Sequence, residues 1–259
     1  MTRYSRSTLS RRSFPANSPC RAAAHYDRPM SQVAVVIPAY NEADRVGATV
    51  EAAGTLPGVD VVVVVDDGSR DGTARVAEQA GAAVLRHASN RGKAAAMETG
   101  SEAVRLLDQR EPREGPRHLL FLDADLGATA AAAGPLITPV AEGTADLAIA
   151  VFAALVKGGG HGFVTGLSAA GIRRATGWTP VQPLNGQRCL TRAAFDAARP
   201  LARGFGVETA MTIDLKRKGL RVTQVEVDLA HRVTGTDLRS QLHRGRQFAD
   251  VALALATRL

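Results

Sequence analysis

Val61–Val65 is an unbroken run of five valines bounded by Asp60 and Asp66. A strand that is apolar at every position has no face left for water. Such a run predicts a strand covered on both sides, as in a parallel sheet with helices above and below it. The flanking sequence agrees. Strand-length runs Val33–Ile37, Asp60–Val65, Ala82–Arg86 and His118–Leu122 alternate with helical stretches Asn41–Ala53, Gly72–Ala80 and Gly92–Leu107. The fold class expected is therefore α/β: a Rossmann-like, mostly parallel central sheet flanked by helices, in a single domain.

The second half is less regular. Asp146–Val151 and Leu220–Leu229 read as strands, and Leu167–Thr176, Thr191–Ala198, Gly206–Lys218 and Thr236–Thr257 as helices. Five glycines between Lys157 and Gly166 predict a loop that closes over a bound ligand and excludes water. Cys189, in a further strand, is expected to be an inert buried thiol. Gln241–Leu259 is amphipathic and is expected to cover the sheet, to contact a second copy of the chain, or to touch a membrane surface.

Charge excludes one class of partner. The 259 residues carry a net +7, but residues 1–29 hold six arginines against Asp27 alone, which leaves +2 over the other 230. A nearly neutral body with a basic, serine-containing tail is not built to bind nucleic acid. Residues 1–29 are expected to be a disordered tail or an over-extended start, with the domain at 30–259: a nucleotide-binding half at 30–126 and an acceptor half at 127–259. Two widely separated cysteines make neither a disulfide framework nor a zinc spacing, which suits a reducing cytoplasm.

In open α/β sheets ligands bind beyond the carboxyl ends of the strands. Four polar segments fall there: Pro38-Ala39-Tyr40-Asn41-Glu42, Asp66-Asp67-Gly68-Ser69, Asn90-Arg91-Gly92-Lys93 and Asp123-Ala124-Asp125. The Asp123-x-Asp125 pair offers hard oxygen donors to a divalent cation, which would stabilise a diphosphate leaving group. Asp67 can accept from a ribose hydroxyl or a base N–H. Gly92-Lys93 opens a helix, whose amides and adjacent cation suit the polar edge or phosphates of a ligand. Neither GxGxxG after the first strand nor GxxxxGK[ST] anywhere is present.

The ordered strings VVIPAYNEA, VVVVDDGSRDGT, NRGKAAAMETG and LLFLDADL resemble glycosyltransferase family 2, inverting enzymes of the GT-A fold. The resemblance implies that Pro38, Tyr40 and Glu42 line a nucleotide pocket and that Asp67 contacts the base. It also implies that Lys93 lies near the nucleotide and that Asp125 ligates Mg²⁺ or Mn²⁺. Asp123 is expected toward the ribose or behind the ion's own ligands. In the second half, LNGQRCLTRAAF, GFGVETAMTIDLKRKGL and VDLAHRVTG are similar to the soluble subgroup of glucosyl-3-phosphoglycerate synthases and polyprenyl-phosphate glycosyltransferase domains. That likeness implies Glu208 on the acceptor side, as general base for a hydroxyl or orienter of a phosphate. It places His231 in the metal site and Arg188 near the acceptor or the donor phosphates.

The expected activity is metal-dependent, inverting transfer from a nucleoside-diphosphate sugar to a polyprenyl phosphate or a small phosphorylated or hydroxyl acceptor. Membrane contact is expected to be peripheral at most. No QxxRW signature is present, so chain polymerisation is not expected. The alternatives are a catalytically silent nucleotide-sugar-binding protein and a sugar-phosphate nucleotidyltransferase. The second needs a Gly-rich, Arg-containing loop where PAYNEAD stands.

Overall fold

The computed structural model describes residues 32–152, 162–229 and 238–259. The chain runs β1 (Val33–Ala39), α1 (Val46–Gly54), β2 (Val59–Asp66), α2 (Thr73–Gln79), β3 (Ala83–Arg86), α3 (Lys93–Arg110) and β4 (His118–Phe121). It continues through a 3-10 turn (Gly127–Ala133), α4 (Gly134–Ala141), β5 (Leu147–Phe152), α5 (Phe163–Thr176), β6 (Arg188–Leu190) and α6 (Arg192–Ala197). A short 3-10 turn (Gly204–Gly206), α7 (Val207–Arg217), β7 (Val222–Val227) and α8 (Leu238–Ala256) complete it.

One seven-stranded sheet results, in the order β3-β2-β1-β4-β6-β5-β7. Every pairing is parallel except those of β6, which runs antiparallel between β4 and β5, with Arg188 opposite both Phe121 and Ile149. The valine run lies near one end of the sheet and is covered on both faces, as its composition requires. Val62 and Val64 pack with Val35, Ile37 and Leu120 on one face, while Val63 and Val65 pack with Val36 and Phe121 on the other.

Two closures of this frame set up the carboxyl edge. At Gly100 of α3 an added Cβ would lie 2.5 Å from Val36 Cγ1 and 3.1 Å from Val65 Cγ2, so only glycine lets α3 approach the sheet this closely. That approach fixes the helix whose first residue is Lys93. Gly100→Ala is expected to cost about 1–3 kcal/mol through overpacking, read by chemical denaturation. At the other end α8 lays Val251 and Leu255 against Ile172 of α5 and Ile213 of α7, and Phe205 N–H donates to Asp250 at 3.0 Å.

Three sequence expectations change. Residues 163–166, expected in the glycine-rich loop, form the first turn of α5; Gly166 N–H donates to Gly162 O at 3.0 Å. Residues 157–161 lie outside those described. The 3-10 turn and α4 were not expected at all. Alanine and proline crowd this stretch, but Pro135 sits in the first turn of α4, where no N–H partner is lost. Val251 and Leu255 of α8 pack on α5 and α7, helices rather than the sheet that this segment was expected to cover, while Phe248 and Leu253 stay exposed. No helix among the described residues is long and apolar enough to cross a membrane.

Candidate active site at the carboxyl edge

The four polar segments after β1 to β4 do meet on one edge, and backbone hydrogen bonds tie them together. Asn41, with φ of 57°, turns the chain after β1 so that its N–H donates to Ser69 Oγ (2.9 Å) and its Oδ1 accepts from Arg70 N–H (2.9 Å). Glu42 N–H donates to Thr73 Oγ1 at 2.9 Å, and Ala43 N–H to Asp71 at 3.2 Å. Pro38 is half-buried, Glu42 is half-buried, and Tyr40 stands 46% exposed at the rim.

Asp67 is placed differently. Its carboxylate is 4% exposed; Oδ1 accepts from Arg91 N–H at 2.9 Å and lies 2.6 Å from His87 Nδ1, while Oδ2 accepts from Gly92 N–H at 2.7 Å. Expected to touch a base, it instead holds the loop 87–92 in place. His87 passes the constraint on, with Nε2 2.9 Å from Thr99 Oγ1 of α3. At Gly68, φ is +77° and an added Cβ would lie 2.6 Å from the Ser89 backbone, so the two loops are in direct contact.

Lys93 is the hub. Its Nζ lies 2.7 Å from Asp123 Oδ1 and 3.0 Å from Glu208 Oε1, joining the end of β4 to the first turn of α7. Burial alone would depress the ammonium, but the carboxylates of Asp123 and Glu208 outweigh it and raise its pKa. The segment 185–187 closes the cluster from a third side. Gln187 Nε2 donates to Asp123 Oδ2 at 2.7 Å, and a Cβ on Gly186 would run into Lys93 Nζ and Asp123. Glu208 itself is 6% exposed.

The turn carrying Asp125 is held from behind. Thr49 Oγ1 donates to Ala124 O at 2.8 Å and accepts from Gly127 N–H, while Arg45 Nη1 donates to Asp125 O at 3.0 Å. Asp125 is half-buried. Hard carboxylate oxygens on an accessible turn fit Mg²⁺ or Mn²⁺, ions commonly held by one or two carboxylates together with substrate phosphates. Among the described residues no three His, Cys, Asp or Glu side chains form a metal group. His231, the other expected ligand, lies outside the described residues.

Arg188 is the clearest correction. It is 1% exposed and donates to Asn185 O (2.8 Å), Pro183 O (3.0 Å), Glu208 O (3.0 Å) and Thr212 Oγ1 (3.0 Å). Burial pushes its pKa down to about 10 against the opposing pull of Glu208. The guanidinium is spent on backbone behind the site, where it ties 183–185 to α7. Sequence reasoning passed over Gln187, Gly186, His87, Thr49 and Arg45. The first two stood inside the quoted string LNGQRCL, next to the arginine that drew attention. Burial pushes the Cys189 thiol well up, which keeps it inert as expected.

The family model Glycosyl transferase family 2 matches residues 34–180. Glycosyltransferase AglJ of Haloferax volcanii is 32% identical over 213 residues, 79% of this chain and 65% of that protein. Dolichyl-phosphate beta-glucosyltransferase of Drosophila melanogaster is 36% identical over 119 residues, 40% of this chain and 33% of that protein. The chain thus spans less than two thirds of the length of these curated relatives. Glucosyl-3-phosphoglycerate synthase of Mycobacterium tuberculosis, solved with Mn²⁺, uridine diphosphate and phosphoglyceric acid, superposes with a TM-score of 0.70 at 26% identity, covering 88% of this chain and 78% of that one. The same enzyme in complex with phosphoglyceric acid gives 0.69 at 27%, covering 88% and 80%. The sheet and its flanking helices match the GT-A fold of these structures.

Proposed function

This chain belongs to glycosyl transferase family 2, and on that premise we propose that it moves a sugar, with inversion, from a nucleoside-diphosphate sugar to a small phosphorylated or hydroxyl acceptor or a polyprenyl phosphate. The observation that carries this reading is the Lys93 bridge, which draws Asp123 and Glu208 into one half-buried cluster at the carboxyl edge; on this reading Asp123 serves the donor and Glu208 the acceptor. The solved synthase in complex with Mn²⁺, uridine diphosphate and phosphoglyceric acid supports a nucleotide-borne donor and an anionic acceptor.

Each residue then has a defined task. Pro38, Tyr40 and Glu42 line the nucleoside pocket, and Asp67 shapes the loop that ends at Lys93. Asp125, with His231 as a further candidate ligand, would hold Mg²⁺ or Mn²⁺. That ion supplies neutralising charge to the diphosphate as it leaves. Asp123, fixed by Lys93 and Gln187, faces the donor. The acceptor attacks from the side opposite the leaving group. Glu208 takes the proton of a hydroxyl acceptor, or orients an acceptor that is already a phosphate. Arg188 positions Glu208 by gripping its backbone carbonyl. The reaction is placed in the cytoplasm, with membrane contact peripheral at most and nucleic acid not a partner. A second copy of the chain at α8 is the alternative partner.

Thermal unfolding with UDP, GDP and dTDP and their sugars, each with Mn²⁺ or with chelator, tests the reading. One nucleotide is expected to stabilise the protein by about 2–3 kcal/mol at roughly 100 times its Kd, and only with the metal. Release of nucleoside diphosphate on adding an acceptor should follow. Stabilisation with no turnover for any acceptor would leave a silent nucleotide-sugar-binding protein instead.

A further inference from the structure

At the amino edge of the sheet, opposite the cluster around Lys93, a cavity of ≈ 600 Å³ opens between the starts of β1 and β4 and the end of β6. Arg113, His118 and Arg192 line it, together with Glu114. All three of these basic side chains have buried nitrogens without a hydrogen-bond partner: Nε and Nη2 of Arg192, Nε and Nη1 of Arg113, and Nδ1 of His118. Unpaired buried donors are rare in folded proteins. Three residues with such atoms around one cavity call for a common cause.

The pairing pattern points to the missing chemistry. Arg117 takes Asp60, Asp108 and Glu111, and Arg113 shares all three, reaching Asp60 and Glu111 through Nη2 and lying 3.8 Å from Asp108 through Nη1, too far for a hydrogen bond. Arg192 is 8% exposed and bonds only to Ser101, through Nη1 to the carbonyl (3.1 Å) and to Oγ (2.5 Å). Burial holds its pKa below the usual guanidinium value, against the pull of Asp196, Asp108 and Glu102. Its vacant Nε–Nη2 edge is the side of a guanidinium that grips an oxyanion with two parallel bonds. Glu114 is the one acid lining the cavity against Arg113 and Arg192.

We propose that this cavity is a second ligand site, which takes the phosphate group of a small molecule between Arg192, Arg113 and His118. Donors from three side chains suit a tetrahedral oxyanion better than a planar carboxylate. A volume of ≈ 600 Å³ leaves room for a larger body attached to the phosphate, within the usual range of ligand pockets. No residue of the donor cluster takes part.

The test is thermal unfolding of the full chain against inorganic phosphate, with chloride at matched ionic strength and acetate as separate arms. Phosphate is expected to raise Tm saturably, by about 5 °C at roughly 100 times its Kd, with acetate much weaker. Arg192→Gln is expected to weaken that affinity at least about tenfold, the loss of one charge-assisted pair. Because Arg192 also holds Ser101, Arg113→Gln is measured alongside it, with the same weakening expected. Phosphate acting no differently from chloride would mean a water-filled cavity and overturn the proposal. So would either folded variant binding phosphate as tightly as the parent, which would assign the effect to the carboxyl edge.

Discussion

Asp125→Ala is expected to abolish the Mn²⁺-dependent part of nucleotide stabilisation and to lower turnover by about 10³-fold, equivalent to about 4 kcal/mol of transition-state stabilisation. The protein without nucleotide should stay folded and lose no more than about 1 kcal/mol, since the side chain is half-buried and lies outside the core. Arg45 donates to Asp125 O and Thr49 to Ala124 O, and these two backbone bonds stay in place after the substitution. Fold and metal response therefore separate in one variant. Nucleotide stabilisation that still depends on Mn²⁺ after the substitution would place the ion on other residues.

Lys93→Met is expected to behave in the opposite manner, damaging stability and activity together. It leaves Asp123 and Glu208 facing each other without the ammonium that now lies 2.7 and 3.0 Å from them. Removing one partner from such a half-buried cluster costs up to about 3 kcal/mol, and the loss of a fixed charge beside the donor costs about 10²-fold in kcat/KM. The sign with pH follows from the raised pKa of Lys93. Its contribution is complete below the unfolded lysine value of about 10.4 and is lost as pH rises through the higher folded value. The stability gap between parent and Lys93→Met should therefore be constant from neutral pH to about 10 and narrow above it. A second change, Asp123→Asn, should restore part of the stability of Lys93→Met but none of its activity. Denaturation and steady-state kinetics on the three variants separate the two effects; recovery of activity in the double variant would show that Lys93 only neutralises Asp123.

The legible parts of this protein are those in which cause and effect lie close along the chain. Five valines in a row demand two covered faces, and β2 has them. Strand ends followed by Asn, Asp, Gly and Ser demand turns, and the four turns gather on one edge because parallel strands all end on the same side. The strand boundaries accordingly differ by only a few residues, as with Val59–Asp66 in place of Asp60–Val65. The placement of Asp123 and Asp125 in the turn after β4, and of Lys93 as the first residue of α3, was equally legible.

What could not be read lies where distant segments meet. β6 enters between β4 and β5 from far along the chain, and its three residues carry too little pattern to predict an antiparallel insertion. That insertion decides the fate of Arg188: paired with both Phe121 and Ile149, it points into a layer where only backbone carbonyls and Thr212 can meet it. The same insertion brings Gly186 and Gln187 against Asp123 and Lys93. For Asp67, residue type told that it would accept hydrogen bonds, but not from whom. The packing of β2 beside β3 supplied Arg91 and Gly92 N–H groups before any ligand could. By itself, the sequence determined the sheet, its edge and the kinds of group along it, because burial periodicity and turn chemistry are local. Only the tertiary structure decided which of those groups face a ligand and which are used up holding the others, because a buried donor or acceptor must be satisfied by whatever the fold brings within about 3 Å.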